Sequence, residues 1–252
     1  MVLNRHKAHI TMNPKRINVL KAAGLLMLGM GIGSGGTVLV QQWNFTSPPM
    51  PQTGAARKPP PPAALTTELL LTGEPFMGSA DAPLTIVEFS DFECSYCRRF
   101  HEQVLPSLQR DYINTGLVRF IHKDLPLPFH RQAKPAAAAA RCAGEQNRYW
   151  DLYDALFDQQ TCLECKGVME IAAAINLDTS TLQACMQREA TETLIKANLS
   201  EAKLHNIRAT PTFVIGPSRK DGKHRGEIIE GAMPWPQFKA LIDQELTDQK
   251  AR

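Results

Sequence analysis

The first 67 residues contain no aspartate or glutamate. Their charge comes from Arg5, Lys7, Lys15, Arg16, Lys21, Arg57 and Lys58, which is +7. The whole chain carries +3, so residues 68–252 carry −4. A mildly acidic remainder argues against a phosphate-binding surface and, with it, a nucleic-acid partner. The basic end is instead a topology signal, since positive flanks stay cytoplasmic. Charge of either sign is also absent from Ala22 to Val40, a run of 19 positions. That is close to the ~20 apolar residues a helix needs to cross a bilayer. The run is long for the apolar part of a cleaved signal peptide, and no small-x-small cleavage site is well placed after it. A basic cytoplasmic tail over 1–21 and an uncleaved anchor over 22–42 are therefore expected, with a cleaved signal as the alternative. Glycines at 29, 31, 33, 35 and 36 form small-xxx-small pairs that let helices pack. Residues 43–68 form a linker, in which Pro48, Pro49, Pro51 and Pro59 to Pro62 favour extended, semi-rigid backbone.

Cysteine is scarce but even in number, at 94, 97, 142, 162, 165 and 185. Outside the cytoplasm such a set implies disulfides; in the cytosol it would imply metal. The basic-then-apolar start places the rest of the chain outside. What remains, 69–252, suits one domain carrying an insertion.

Leu84 to Phe89 is a short, β-branched apolar run with the length of a buried strand. After the polar turn Ser90-Asp91-Phe92-Glu93 comes Cys94-Ser95-Tyr96-Cys97, and then Phe100, Val104, Leu105 and Leu108 recur at helical spacing. A CxxC thus sits where a strand hands over to a helix expected to end near Gly116. The first turn of a helix offers unpaired N–H groups and a positive dipole end. A sulfur there is favoured as thiolate, the form that attacks a disulfide. The second cysteine lies one helical turn away and can close onto the first. Downstream, Leu117–His122 reads as a second strand. Helical patterns follow at Ala133–Gln146, Tyr149–Gln159, Val168–Ile175, Thr179–Glu189 and Thr191–Asn206. Strands are expected at Thr210–Ile215 and Gly226–Gly231, and a closing helix at Trp235–Leu246. A helical insertion, about 130–206, splits a small α/β domain.

The string APLTIVEFSDFECSYC, the stretch RCAGEQNRYWDLYDALF in the insertion and ATPTF before the last hairpin together resemble the DsbA-like thioredoxin-fold oxidoreductases. The resemblance spans about Pro75 to Leu246. It implies an α/β thioredoxin-like fold with an inserted helical subdomain, behind the anchor and linker. By that resemblance Cys94 is a nucleophile with an exposed sulfur, and Cys97 is its buried resolving partner. Pro211 is a cis-proline facing the CxxC, and Thr210 before it pairs with an extended substrate strand. Ser95 and Tyr96 belong to the substrate surface. Glu88 matches a carboxylate beneath the site that exchanges a proton with Cys97. Ser95-Tyr96 departs from the proline–histidine pair of strongly oxidising members, which leaves the redox direction open.

Cys142 and Cys185 lie on separate expected helices, and Cys162 and Cys165 form a second CxxC. Two structural disulfides, 142–185 with 162–165 or a crossed pairing, are expected; a four-thiolate zinc site and a second redox pair are the alternatives. The second CxxC lacks the strand-to-helix placement and gives no sequence reason to be catalytic. His101, His122, His130, His205 and His224 show no ligand spacing and read as surface or packing residues, as Tyr149, Trp150, Tyr153, Leu156 and Phe157 read as core. No metal and no organic cofactor is expected, because the electrons reside in the Cys94–Cys97 disulfide.

The resulting expectation is a single-pass inner-membrane protein with a periplasmic thiol:disulfide oxidoreductase domain. It would form disulfides in reduced or unfolded exported proteins and be reoxidised by a DsbB-like quinone-linked membrane partner. The alternatives are a reductase or isomerase of the same fold, and a CxxC module for copper or another soft metal. The copper reading lacks added Met or His beside Cys94.

Overall fold

The structure, a computed structural model, describes residues 67–251. The tail, the anchor over 22–42 and nearly all of the 43–68 linker lie outside the described residues. Among those described, no helix is long and apolar enough to cross a membrane.

Six strands form one sheet: β1 (Thr67–Leu70), β2 (Phe76–Met77), β3 (Leu84–Ser90), β4 (Val118–Asp124), β5 (Thr212–Pro217) and β6 (Lys223–Glu230). Their order is β1-β6-β5-β3-β4-β2. Only β3 and β4 pair in parallel; the other neighbours are antiparallel. All seven residues of β3 are buried, so the strand is covered on both faces. Leu84 and Ile86 join one core, while Val87 and Phe89 join the other, as the two-residue period of a strand requires. The parallel β3–β4 pair needs a crossover, and the CxxC helix supplies it.

That crossover is not one helix. α1 (Ser95–Gln103) ends at Val104, α2 (Leu105–Leu108) follows, and Gln109–Ile113 is a π-helical turn. Pro106 explains the break, since it lacks the N–H that a continuous helix would use. Gly116 ends the segment with φ +76°, a backbone shape that costs glycine little.

Between β4 and β5 lie α3 (Ala133–Glu145), α4 (Tyr149–Asp158), a 3-10 turn (Gln160–Cys162), α5 (Leu163–Ala174), α6 (Thr179–Met186) and α7 (Glu189–Leu204). α8 (Trp235–Lys250) closes the chain. Asn147, Asn176 and Asn206 stand just past the ends of α3, α5 and α7 with φ of 56–60°, the left-handed stop that asparagine tolerates. Asp178 caps α6 by accepting from the N–H groups of Ser180 and Thr181. The alanines at 136, 137, 139, 140 and 143 are buried, and their small side chains let α3 lie close to its neighbours. Phe100 of α1 packs on Phe213 of β5 and Phe238 of α8, with ring centroids 4.7 and 5.5 Å apart.

Several boundaries differ from the sequence expectation. β1 begins at Thr67, inside the segment expected as linker, and neither β1 nor β2 was expected because both are too short to show a period. β5 starts at Thr212 rather than Thr210, since Thr210 and Pro211 form the turn before it. β6 starts at Lys223, and α8 runs to Lys250. α5 starts at Leu163 rather than Val168, with Gly167 at φ 74°, ψ 156° interrupting its helical backbone.

Candidate active site

Cys94 is the N-cap of α1, with extended backbone at φ −73°, ψ 119°. The preceding turn holds it in place by its acids. Asp91 is buried and accepts from the N–H of Glu93 (2.7 Å), the N–H of Leu127 (2.7 Å) and His130 Nδ1 (2.8 Å). Glu93 reaches the start of α3, where the N–H groups of Gln132 and Ala133 donate to its carboxylate. Anions at a helix N-terminus are stabilised by the dipole, so this turn ties α1 to the insertion.

The Cys94 thiol donates to the Thr210 carbonyl at 3.3 Å, and the Thr210–Pro211 peptide is cis. The turn before β5 and the start of α1 thus meet at one sulfur. Cys94 keeps only 7% of its surface exposed, which corrects the expectation of an open sulfur: the Thr210 turn covers it. Ser95 and Tyr96 are the exposed members of the motif, and the Arg99 guanidinium lies 5.1 Å from the Tyr96 ring centre. Cys97 is fully buried beneath, and both thiols are free.

The two sulfurs have opposite acidities. The Cys97 thiol, bonding to Cys94, does most to hold the Cys94 pKa down, to about 5. Burial opposes this, and Thr210 and the N–H groups of Cys97 and Tyr96 assist it. The Thr210 hydroxyl has no hydrogen-bond partner while Cys94 is a thiol. Burial pushes Cys97 well above its usual range, and the adjoining Cys94 and Glu88 push it further.

Glu88 lies on β3 under the pair, fully buried. Burial raises its pKa to about 8, while Ser90 and the Tyr153 hydroxyl, 3.3 Å away, resist that rise. The parallel register sets Glu88 beside His122 and Ser90 beside Asp124. Four buried polar side chains therefore share one face of two central strands. Glu88 Oε1, Ser90 Oγ, His122 Nε2 and Asp124 Oδ1 have no protein hydrogen-bond partner. His122 Nδ1 meets the Tyr149 hydroxyl at 2.7 Å. Burial, then Arg141, lowers the His122 pKa to about 3, so the ring is neutral and its 3.9 Å approach to Asp124 is not an ion pair. Asp124 bonds Arg141, which also donates to Glu74 at 2.8 Å. Lys123, facing the other way, reaches Glu74 and Glu201 at 3.1 and 2.6 Å.

The sequence assigns Glu88 a role, reads His122 as a surface or packing residue and Tyr149 and Tyr153 as core, and offers no reading of Asp124. Two-residue alternation puts His122 on the Glu88 face only once the parallel β3–β4 register is known. His101 and His130 pair with Asp154 and Asp91 at 2.9 and 2.8 Å. His224 is buried on Val214 O.

The other four cysteines are bonded in two pairs. Cys142–Cys185 joins α3 to α6 in the core with Cα atoms 5.7 Å apart. Cys162–Cys165 closes a surface turn with Cα atoms 5.0 Å apart. These bonds leave no thiolates for the zinc alternative. Among the described residues, no group of three or more His, Cys, Asp or Glu is placed to hold a metal ion. Cavities of about 450 Å³ beside Met169 and Ile195, and about 720 Å³ beside Glu74 and Trp150, are not lined by Cys94.

A family model described as Thioredoxin matches residues 71–244. Disulfide bond formation protein D of Bacillus subtilis is 26% identical over 185 residues, covering 70% of this chain and 78% of the relative. Na(+)/H(+) antiporter NhaA 3 of Salinispora tropica is 30% identical over 157 residues; the match covers 62% of this chain but only 24% of the antiporter's length. Wolbachia pipientis alpha-DsbA1 superposes with a TM-score of 0.64 at 24% identity, covering 71% of this chain and 94% of that one. BdbD of Bacillus subtilis, in its oxidised form, superposes with a TM-score of 0.62 at 25% identity, covering 73% and 98%. With the match to the family model spanning most of the chain and a helical insertion between β4 and β5, the protein belongs to the thioredoxin family, among its DsbA-like thiol–disulfide oxidoreductases.

Proposed function

We propose that the chain is a membrane-anchored thiol:disulfide oxidoreductase that forms disulfides in exported proteins, working in the periplasm through Cys94-Ser95-Tyr96-Cys97. The observation that carries this reading is the Cys94 sulfur at the start of α1, 3.3 Å from the Thr210 carbonyl and above a buried second thiol. In the working oxidised form Cys94 and Cys97 are joined. Cys94 then has no proton to donate, and the Thr210 carbonyl is free to accept from an extended substrate backbone. A substrate thiolate attacks Cys94 Sγ, the Cys94–Cys97 bond breaks, and Cys97 leaves as thiolate. Glu88, protonated at neutral pH by its burial, gives Cys97 a proton. A second substrate thiolate attacks the substrate sulfur of the mixed disulfide and releases Cys94 as the stabilised thiolate. The substrate is oxidised by two electrons and the CxxC is reduced. A DsbB-like quinone-linked membrane partner takes those electrons and restores the bond. Residues 22–42 hold the chain at the inner membrane, residues 1–21 stay cytoplasmic, and the domain acts at the end of the proline-rich linker.

The test is reoxidation of a reduced, unfolded protein by the full chain, with oxidised glutathione supplied as terminal oxidant. Wild type is expected to restore disulfides catalytically, while Cys94→Ser falls to the uncatalysed rate. Equal rates for the two would overturn the assignment.

A further inference from the structure

The two CxxC motifs are physically joined by Gln160. Its side-chain amide donates to the carbonyl of Phe92 at 2.8 Å and to that of Cys94 at 3.0 Å. The Cys94 carbonyl also accepts from Arg98 N at 3.1 Å, so Gln160 helps fix the peptide that opens α1. Gln160 begins the 3-10 turn whose last residue is Cys162, and Cys162 is bonded to Cys165. The two disulfides of the insertion differ in kind. Cys142 and Cys185 are 1% and 2% exposed and 43 positions apart, as a core staple should be. Cys165 is exposed and Cys162 half-buried, at a separation of only 3. Closing so short a loop removes less entropy from the unfolded chain than the 43-position bond does, so stapling is the weaker reason for the second bond.

We propose that Cys162–Cys165 is a second redox site, opened by an external dithiol, and that its state is passed to Cys94 through Gln160. The inference rests on Cys94 being the reactive thiol. A dithiol attacks as thiolate at the exposed Cys165 sulfur. The S–S bond breaks, and Cys162 leaves and takes a proton. The dithiol's second thiolate then closes on the mixed disulfide, and Cys165 leaves and takes a proton. The external dithiol becomes a disulfide, and the pair becomes two thiols. With the bond open, the turn from 160 to 165 loses its covalent closure, although Leu163 remains buried in the core. Gln160 then holds the Cys94 and Phe92 carbonyls less firmly. The N–H groups that face the Cys94 sulfur are less well fixed, and the thiolate is less favoured.

The full chain is equilibrated in graded glutathione buffers, quenched by alkylation, and each pair is scored by mass spectrometry. Cys162–Cys165 is expected to open in buffers where Cys142–Cys185 stays closed; opening of both together would overturn the proposal. The pH profile of Cys94 alkylation is then compared between wild type with the second pair closed and the Cys162→Ser/Cys165→Ser variant. The variant's half-point is expected to move up, with Cys94 alkylation near that half-point slowed about three-fold. Gln160→Ala should shift the profile alike and remove the difference between the closed and open forms. Superimposable profiles for the closed and open forms would sink the coupling. If the double variant does not fold, wild type poised in a buffer that opens only the second pair gives the same comparison. A Cys94 that is unreactive in every form would defeat the proposed function and the coupling with it, while the glutathione titration alone still decides whether Cys162–Cys165 opens as a separate redox site.

Discussion

Cys94–Cys97 and Cys162–Cys165 share one spacing and almost nothing else. The first pair starts a helix directly after a central buried strand, under a cis-proline turn, with a carboxyl, a serine and a tyrosine below it. The second pair straddles a 3-10 turn and the start of α5 at the surface, with no strand before it and Gly167 interrupting the helix two residues later. Spacing sets only the size of the ring that two sulfurs close. The surroundings decide which sulfur is an anion, which is buried, and where a proton goes. The sharpest way to break this contrast is to remove one sulfur from each. Cys94→Ser is expected to lower exchange with a reduced protein by at least ~10³-fold, because no other group supplies the nucleophile. Cys165→Ser is expected to leave readily measurable exchange. Comparable losses from both would show that spacing alone makes the site.

The reduction potential places the first pair on a scale. Reference proteins with a reactive cysteine pKa of about 7 and about 3.5 have potentials of about −270 and −120 mV. A Cys94 value of about 5 falls between them, and a straight line through the two references gives roughly −180 mV. Equilibration against glutathione, scored at Cys94 and Cys97, measures it. A result at or below about −270 mV would make the chain a reductant and reverse the proposed direction.

The insertion's own two disulfides sharpen the comparison on the stability axis. Chain-entropy arguments give about 4 kcal/mol for the loop closed by Cys142–Cys185 and about 2 kcal/mol for that closed by Cys162–Cys165. Serine pairs at each site, compared by urea unfolding, should lose stability in that order. Equal losses would mean that the surface bond is a staple after all.

Glu88→Gln tests what lies beneath the first pair. The native carboxyl stays protonated up to about pH 8, whereas the unfolded one ionises from the ordinary glutamate value of about 4.5. Between those values the unfolded chain binds fewer protons, so wild-type stability falls as pH rises. Glutamine does not titrate. The variant's advantage should therefore be absent below about pH 4.5, reach about 3 kcal/mol near pH 7, and level off above pH 8. Unfolding of the reduced protein across that range reads it out. A pH-independent difference would mean that Glu88 is ionised in the fold.

Much of this was legible in the chain. β3 announced itself as the apolar run Leu84 to Phe89, one residue short of its observed end, and the strand-to-CxxC junction located the N-terminus of α1. The insertion helices carried a 3.6-residue period, so most of their ends fell within a few positions. What escaped were features without a local period. β1 and β2 have four and two residues and exist because β6 and β4 offer edges to pair with. The helix after Cys97 looked continuous because its apolar spacing persists through Pro106. The polar row of His122 and Asp124 depends on a parallel register between strands more than twenty residues apart. Gln160 reaches Cys94 across 66 positions, and nothing at 160 marks it.

The smallest expected effect concerns Tyr153, which sequence alone assigned to the core. Its ring is fully buried, consistent with that reading, but its hydroxyl donates to Glu88 Oε2 at 3.3 Å. This bond favours the carboxylate and holds the Glu88 pKa below where burial alone would put it. Tyr153→Phe keeps the ring and removes the donor. The Glu88 pKa should then rise further, by up to about one unit, equivalent to about 1 kcal/mol. Carboxyl NMR of Glu88 in the reduced protein follows the titration directly. Because the native state then holds its proton to higher pH, the range over which stability declines should widen upward as well. A midpoint that moves down, or stays in place while the fold is intact, would mean that the phenol is only packing. The buried half of the comparison would then rest on Ser90 and the sulfurs alone.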